Sequence, residues 1–325
     1  MILVTGGAGY IGSHTVLALK EAGYKTVVFD SLERGHRDLN FGDVFVEGDL
    51  RDYDQIESVF RAHPIEGVVH FAASSLVGQS MAEPEGYYLN NLTGTLNLLR
   101  AMRTVEVSRI VFSSSASVYG EPETIPITEE AKKDQTSVYG ETKYWIERML
   151  DSYCRSYGFG AIALRYFNAA GCDPACRTGE DHTPETHLIP LVLDVALGRR
   201  ESISVFGDDY PTDDGTCVRD YIHVTDLAEA HVLSLKKLFD EGQSFRASYN
   251  LGNGKGYSVS QVIEVVREVT GHPIPTEIGP RRAGDPAVLV ASSALAEREL
   301  GWSQAHADLK EIVETAWAWH KKRFS

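Results

Sequence analysis

Cysteine is scarce in this chain: Cys154, Cys172, Cys176 and Cys217 are the four among 325 residues, and they show no CxxC pair or other metal-ligand spacing. Neither a disulfide-stapled secreted scaffold nor a thiolate metal site is indicated, and reduced thiols in a cytoplasmic protein are expected. Positive charge is also short. Lysine and arginine number 31 against 46 acidic residues, a net charge of −15, which argues against a nucleic-acid or anionic-membrane surface. No hydrophobic run is long enough to span a bilayer, and with the first strand expected almost at residue 1, export is not expected. The eleven histidines form no HxxxH or HExxH cluster, so no metal site is expected. No internal repeat or low-complexity tract stands out. At 43% hydrophobic residues, what remains is a globular chain of one large or two moderate domains. An anionic substrate would have to be held by local arginines.

The chain opens with Ile2-Leu3-Val4 running into Thr5-Gly6-Gly7-Ala8-Gly9-Tyr10-Ile11-Gly12. A buried strand, a glycine loop and a helix expected over Ser13 to Ala22, closed by Gly23, arrive in the order a dinucleotide fingerprint requires. Gly6 allows the tight turn, Gly9 lets backbone approach a pyrophosphate, and Gly12 allows close helix packing. A second strand, Thr26 to Phe29, ends in Asp30, at the distance expected for the carboxylate that binds an adenosine ribose. A carboxylate there repels a 2′-phosphate and favours NAD over NADP, although Arg34 and Arg37 follow closely. The alternative for Asp30 is an ordinary strand-end turn residue.

Further on, Ser113-Ser114-Ser115-Ala116-Ser117-Val118-Tyr119-Gly120 is joined by a short loop to Tyr139-Gly140-Glu141-Thr142-Lys143. A tyrosine four residues before a lysine on a helix shares its face, so an ammonium can stabilise a phenolate otherwise formed only near about pH 10. Tyr139 is thus a candidate base and Ser115 a candidate hydrogen-bonding partner to the same substrate oxygen. Such a pair also arises by chance; its weight comes from the glycine loop upstream.

Between these motifs strands alternate with helices, at Val44 to Val46, Gly67 to Phe71, Arg109 to Phe112 and Ala161 to Arg165. The expected fold is therefore α/β, a doubly wound parallel-sheet Rossmann domain. Ligands of such sheets lie beyond the carboxyl ends of the strands. Asp30, Asp49-Leu50, Phe71-Ala72-Ala73, Ser113 to Ser115 and Asn168 all stand there. After about residue 172 the texture changes, and a smaller mixed α/β substrate-binding domain is expected. The division is 1–172 plus about 216–242 for NAD, and about 173–215 plus 243–325 for substrate. Within the returning 216–242 stretch, Tyr221 to His231 reads as a strand and then a helix capped by Thr225 or Asp226. Val259 to Val269 and Leu309 to Trp319 read as helices.

Five segments together carry a resemblance: Thr5 to His14, Phe112 to Gly120, Tyr139 with Lys143, Arg165-Tyr166-Phe167-Asn168, and Gly215 to His223. They resemble the extended short-chain dehydrogenase/reductase superfamily and, over essentially the whole chain, its UDP-glucose 4-epimerase family; Phe206 to His223 is specific to the latter. The resemblance implies a bound NAD, with Tyr139 taking the proton of the sugar 4-hydroxyl as its C4 hydride passes to the nicotinamide. Lys143 would hold the nicotinamide ribose and lower the Tyr139 pKa, aided by the charge of NAD. The 4-keto sugar would turn over in the site and recover the hydride on its other face, interconverting UDP-glucose and UDP-galactose. Tyr10, Ile11, Asp49, Leu50, Phe71, Ala72, Ala73, Asn90, Ser113, Lys143 and Phe167 match cofactor contacts beside the glycines and Asp30. Ser115, Ser117, Tyr139, Asn168, His187, Leu188, Ser204, Phe206, Arg219, Arg282, Asp285 and Leu289 match positions that hold the UDP-sugar. Two arginines on a diphosphate also make sense from guanidinium geometry; the alternative for Arg219 is an ion pair with Asp220.

Dehydratases and decarboxylases of this superfamily carry acids where this chain has Ala116-Ser117, which favours simple reversal of hydride transfer over elimination. Ser75 replaces a lysine common near the nicotinamide phosphate. Leu289 stands where a tyrosine restricts some members to UDP-hexoses, and weak UDP-GlcNAc epimerisation at most is expected. A UDP-pentose or UDP-N-acetylhexosamine 4-epimerase is the nearer alternative. A catalytically silent NAD-sensing protein is the alternative of another class, opposed by an intact Ser115, Tyr139 and Lys143. A homodimer pairing helices near Asn90 to Val105 and Val138 to Tyr157 is implied by the resemblance alone.

Overall fold

The computed structural model describes residues 1–282 and 285–325. Six apolar runs form the first strands: Ile2–Thr5 (β1), Thr26–Asp30 (β2), Val44–Glu47 (β3), Gly67–His70 (β4), Arg109–Ser113 (β5) and Gly160–Tyr166 (β6). The later strands are Asn168–Ala170 (β7), Ile203–Phe206 (β8), Val218–Arg219 (β9), Tyr221–His223 (β10), Arg246–Leu251 (β11), Tyr257–Ser258 (β12), Thr276–Gly279 (β13) and Val288–Leu289 (β14). The main sheet runs β11-β6-β5-β4-β1-β2-β3, parallel at every pairing. The order reverses between β1 and β4, which places a crevice at their carboxyl ends.

Both faces of this sheet are covered, so its central strands are apolar without alternation. Leu3, Val27, Val68, Ile110 and Phe112 pack on one side with Ile56, Leu98, Ile146 and Leu150 from the helices Tyr53–Ala62, Gly94–Thr104 and Val138–Tyr157. Ile2, Val4, Val28, Val69, Val111 and Ile162 pack on the other with Val16, Leu227 and Leu235 from the helices Tyr10–Glu21 and Val224–Glu241. A separate core of Ile189, Val192, Leu193, Ile203, Val205, Val262, Val266, Ile312 and Val313 lies under the smaller sheets. Those are β10-β7, β12-β9-β14 and β13-β8.

Three expectations change. The first helix begins at Tyr10 rather than Ser13, with Gly9 extended at its N-cap. The N–H groups of Tyr10, Ile11 and Gly12 therefore precede the first intrahelical bond, Ser13 N to Gly9 O at 2.9 Å, and face outward as free donors. The helix after β10 is capped by His223, whose ring accepts from the Thr225 N–H at 3.2 Å; Asp226 instead accepts from the N–H groups of Ala305 and His306, at 3.0 Å each. The return to the main sheet also reaches past the expected 216–242, because β11 pairs with β6 along Arg246–Leu251.

Candidate active site

At the crevice, just past the carboxyl end of β1, Gly6 turns the chain with φ of +72°. A Cβ on Gly12 would stand 2.1 Å from the Gly6 carbonyl oxygen, so only glycine lets the helix start press against the turn. The result is a shallow cradle of donors. Asp30 is buried at the end of β2 and its carboxylate accepts from Ala8 N and Leu32 N, at 2.9 Å each. Burial raises its pKa, with those two bonds opposing. Phe71 and Ala72 both donate backbone N–H groups to the Thr5 carbonyl, at 2.9 and 3.1 Å, so β1 and β4 end together; Ala73 is half-buried beside them. Leu50 is buried in the core, while Asp49 lines a surface depression of about 540 Å³ with Arg51 and Tyr53. The Arg51 guanidinium, hydrogen-bonded to Asp49, holds that carboxyl below its usual range. Asn90 lies in a turn of π-helix, Tyr88–Thr93, donating to Ser74 Oγ at 3.0 Å; π-bulges recur at functional sites. The Tyr10 hydroxyl donates to Gly171 O at 2.7 Å and ties the glycine-loop helix to the segment after β7.

Beyond β5 the chain folds into a short turn in which Ser115 Oγ accepts from Ser117 N at 3.1 Å and meets Ser117 Oγ at 3.1 Å. The helix Val138–Tyr157 comes close because a Cβ on Gly140 would lie only 2.5 Å from Ser117 O. Tyr139 and Lys143 then share a buried face. Lys143 Nζ lies 5.7 Å from the Tyr139 ring centroid and donates to Ser113 O at 2.7 Å. Burial pushes Tyr139 up to about 12, with Ser115 lowering it and Tyr87 raising it. Burial also pushes Lys143 down to about 7, against the pull of Glu147. Desolvation is the largest cause at both groups and moves each toward its neutral form.

The other candidates gather on the smaller sheets. In β9, Arg219 pairs with Asp285, not with Asp220; Asp220 is consumed by backbone N–H groups of Asn253, Gly254 and Ala291. Leu289 stands opposite Arg219 in the β14 register and packs with Phe167 against Val118, Tyr119 and Ile127. The Arg282 guanidinium lies 4.0 Å over the half-exposed Phe206 ring at the end of β8, the strand that also carries Ser204. Asn168 Nδ2 donates to Asp220 O at 2.8 Å. His187 caps the helix Leu188–Ala196 without a side-chain cap bond, and its Nδ1 lies 2.5 Å from Glu180.

Beneath this site lies a side-chain network that the motifs do not reveal, although several of its residues belong to them. Arg165 and Glu147 form a buried pair with contacts of 2.6 and 2.9 Å, and Glu147 also accepts from Ser114 Oγ at 2.6 Å. Arg165 reaches the Tyr119 hydroxyl at 2.9 Å, which donates to Asn250 at 2.6 Å. The Tyr166 hydroxyl meets Ser113 Oγ at 2.5 Å. The pair is separated by 18 positions, and the one sequence signal was Glu147 standing one helical turn beyond Lys143.

The model of the NAD dependent epimerase/dehydratase family matches residues 2–252. A UDP-glucose 4-epimerase from Halalkalibacterium halodurans is 56% identical over 99% of this chain and 96% of its own length. The crystal structure of UDP-glucose 4-epimerase from Brucella ovis in complex with NAD superposes with a TM-score of 0.94 at 45% identity, covering 98% of this chain and 97% of that one. A UDP-glucose 4-epimerase from Bifidobacterium longum in complex with NAD+ and UDP gives 0.92 at 40% identity, covering 99% and 98%.

Proposed function

The chain belongs to the NAD dependent epimerase/dehydratase family, and on that premise we propose that it interconverts UDP-glucose and UDP-galactose by inverting carbon 4. The cradle fits NAD: Gly6 and Gly12 leave no room for a Cβ, three N–H groups open the helix, and Asp30, buried at the end of β2, would hold the adenosine ribose. Bound there, NAD supplies the acceptor for the C4 hydride and returns the same hydride, so there is no net redox change.

The protein's part is proton transfer and placement. Tyr139 Oη takes the proton of the 4-hydroxyl as the C4–H bond breaks, and gives it back to the 4-keto oxygen when that bond re-forms on the opposite face. With its phenol held near 12 by burial, the base depends on positive charge brought beside it, from a protonated Lys143 and from the oxidised cofactor. Ser115 orients the same substrate oxygen. Arg219 and Arg282 hold the diphosphate with guanidinium hydrogen bonds, so the sugar can turn while its leash stays fixed.

The observation that carries this reading is Tyr139 and Lys143 buried on one face below a turn whose next residues, Ala116 and Ser117, offer no acid for elimination. Purified protein given UDP-galactose should form UDP-glucose without stoichiometric NADH; a dehydrated or oxidised product would overturn the proposal. The protein is further read as a cytoplasmic homodimer. Among the described residues no helix is long and apolar enough to cross a membrane, and the four cysteines are free. Leu89, Leu96 and Trp145, exposed by 51, 40 and 54% around the two helices expected to pair, support self-association through that face. Sedimentation at micromolar concentration tests it, and a monomer there would contradict it.

A further inference from the structure

Between β7 and the helix Leu188–Ala196 the chain reads Glu180-Asp-His182-Thr-Pro-Glu185-Thr-His187, a spacing outside the HxxxH and HExxH patterns. Folding gathers Glu180, His182, Glu185 and His187 so that one ligand atom from each lies within 4.8 Å of all the others. His182 Nδ1 stands 3.2 Å from Glu180 Oε1 and 3.6 Å from Glu185 Oε2, and His187 Nδ1 stands 3.5 Å from Glu185 Oε1. Around a zinc ion with bonds of about 2.0–2.1 Å, the edges of a tetrahedron measure about 3.3 Å. With either Glu185 oxygen as the fourth ligand, two contacts match that edge, the 2.5 Å contact of His187 Nδ1 with Glu180 needs to open by less than an ångström, and the other distances lie within 4.8 Å.

We propose that Glu180, His182, Glu185 and His187 form a structural zinc-type site that pins this segment at the rim of the nucleotide-sugar site. The donor set argues for that class of cation. Two imidazoles exclude calcium and magnesium, which take oxygen ligands, and four protein ligands close the shell as structural zinc sites do. Two carboxylates balance the charge of a divalent ion. The shell is built rather than fortuitous. The buried Glu180 is held through its backbone carbonyl by Trp319 Nε1 at 2.9 Å. Asp181 is held by Arg323 at 2.7 Å, and its carbonyl by His36 at 3.0 Å. The Tyr10 ring meets His182 edge-on at 6.1 Å. A cation here would tie Glu180 to His187, where the segment enters its helix, and would fix the His182 ring that packs on Tyr10 beside the glycine loop.

The experiment uses the full chain with NAD bound, purified without a polyhistidine tag and stripped with EDTA. One equivalent of Co²⁺ should give visible ligand-field bands of tetrahedral intensity, bleached by one equivalent of Zn²⁺. His182→Ala and Glu185→Ala, both at partly exposed positions, should lose those bands while circular dichroism and bound NAD persist. If wild-type protein gives no such bands and keeps no zinc through gel filtration, the four groups are only an ion-pair cluster and the proposal falls. Bands undiminished in both variants would place the metal elsewhere and overturn it equally. On the reading that His187 and Leu188 touch UDP, EDTA should also raise KM for UDP-galactose several-fold with kcat unchanged. Cobalt bands without any epimerisation would break that functional reading and leave the metal site standing.

Discussion

The main sheet and the smaller sheets hold their arginines in opposite ways. Under the sheet's carboxyl edge, Arg165 and Glu147 keep only 7 and 9% of their side chains exposed, locked in a network with Ser114, Tyr119 and Asn250. Across the crevice, Arg219 and Asp285 are exposed by 14 and 25%, and Arg282 rests on an aromatic face. A pair already desolvated and fully bonded cannot exchange partners without a large cost, so it positions its neighbours. A pair still touching water can trade a carboxylate for a phosphate at little cost. On the proposed reading, one side would be set for rate and the other for grip.

The largest effect that would sharpen this contrast is chemical. Tyr139→Phe should lower kcat by about 10²–10⁴-fold with NAD still bound; unchanged turnover would remove Tyr139 as the base. Next comes the buried pair. Glu147→Leu strands the Arg165 charge and should destabilise the fold by about 3–5 kcal/mol in urea melts, whereas a loss under about 1 kcal/mol would show the network to be decorative.

On the opposite side, Arg219→Ala should raise KM for UDP-galactose by about 10- to 100-fold, corresponding to the ~1.5–3 kcal/mol of a hydrogen bond to a charged group. Turnover at saturation should hold. If kcat fell and KM stayed, the division between rate and grip would be wrong.

Lys143 gives a smaller effect, read through pH. Folding lowers its pKa to about 7, from about 10.4 in an unfolded chain. Between those values the unfolded chain keeps a proton that the folded one has released, so stability rises with pH by about 1.4 kcal/mol per unit. Below about pH 7 both states are protonated and this slope vanishes. In cofactor-free protein, Lys143→Met should flatten the rise seen in melts from pH 7 to 10; an unaltered profile would place the charge change elsewhere. Smallest is Leu289→Tyr, which should cut any residual UDP-GlcNAc turnover while sparing UDP-galactose. Comparable specificity constants for both sugar classes in the unaltered protein would contradict the weak acceptance expected of Leu289.

How much of this was legible in the sequence differs between the two sides for a physical reason. The glycine loop, Asp30 and the Tyr139–Lys143 spacing are local: each depends on residues within one turn or one helix, so neighbours in sequence carry the signal. The first helix's earlier start was missed because Gly9, with no capping side chain, leaves no cap signature. The cap at His223 was missed because Thr225 and Asp226 are better cap formers by type, and tertiary bonds to Ala305 and His306 claimed Asp226 instead. Glu180, Arg165 and Asp220 belong to networks whose partners lie far apart or at unfamiliar spacing.

The sequence by itself determined the strand–loop–helix opening, the parallel alternation and the local spacing that makes Tyr139 and Lys143 candidates for proton transfer, because periodicity and glycine sterics act over a few residues. Only the tertiary structure decided which acid Arg219 meets, that Tyr139 and Lys143 are both pushed toward their neutral forms, and that two glutamates and two histidines converge. Those outcomes depend on burial and on side chains brought together from separate elements, and neither quantity exists before the chain has folded.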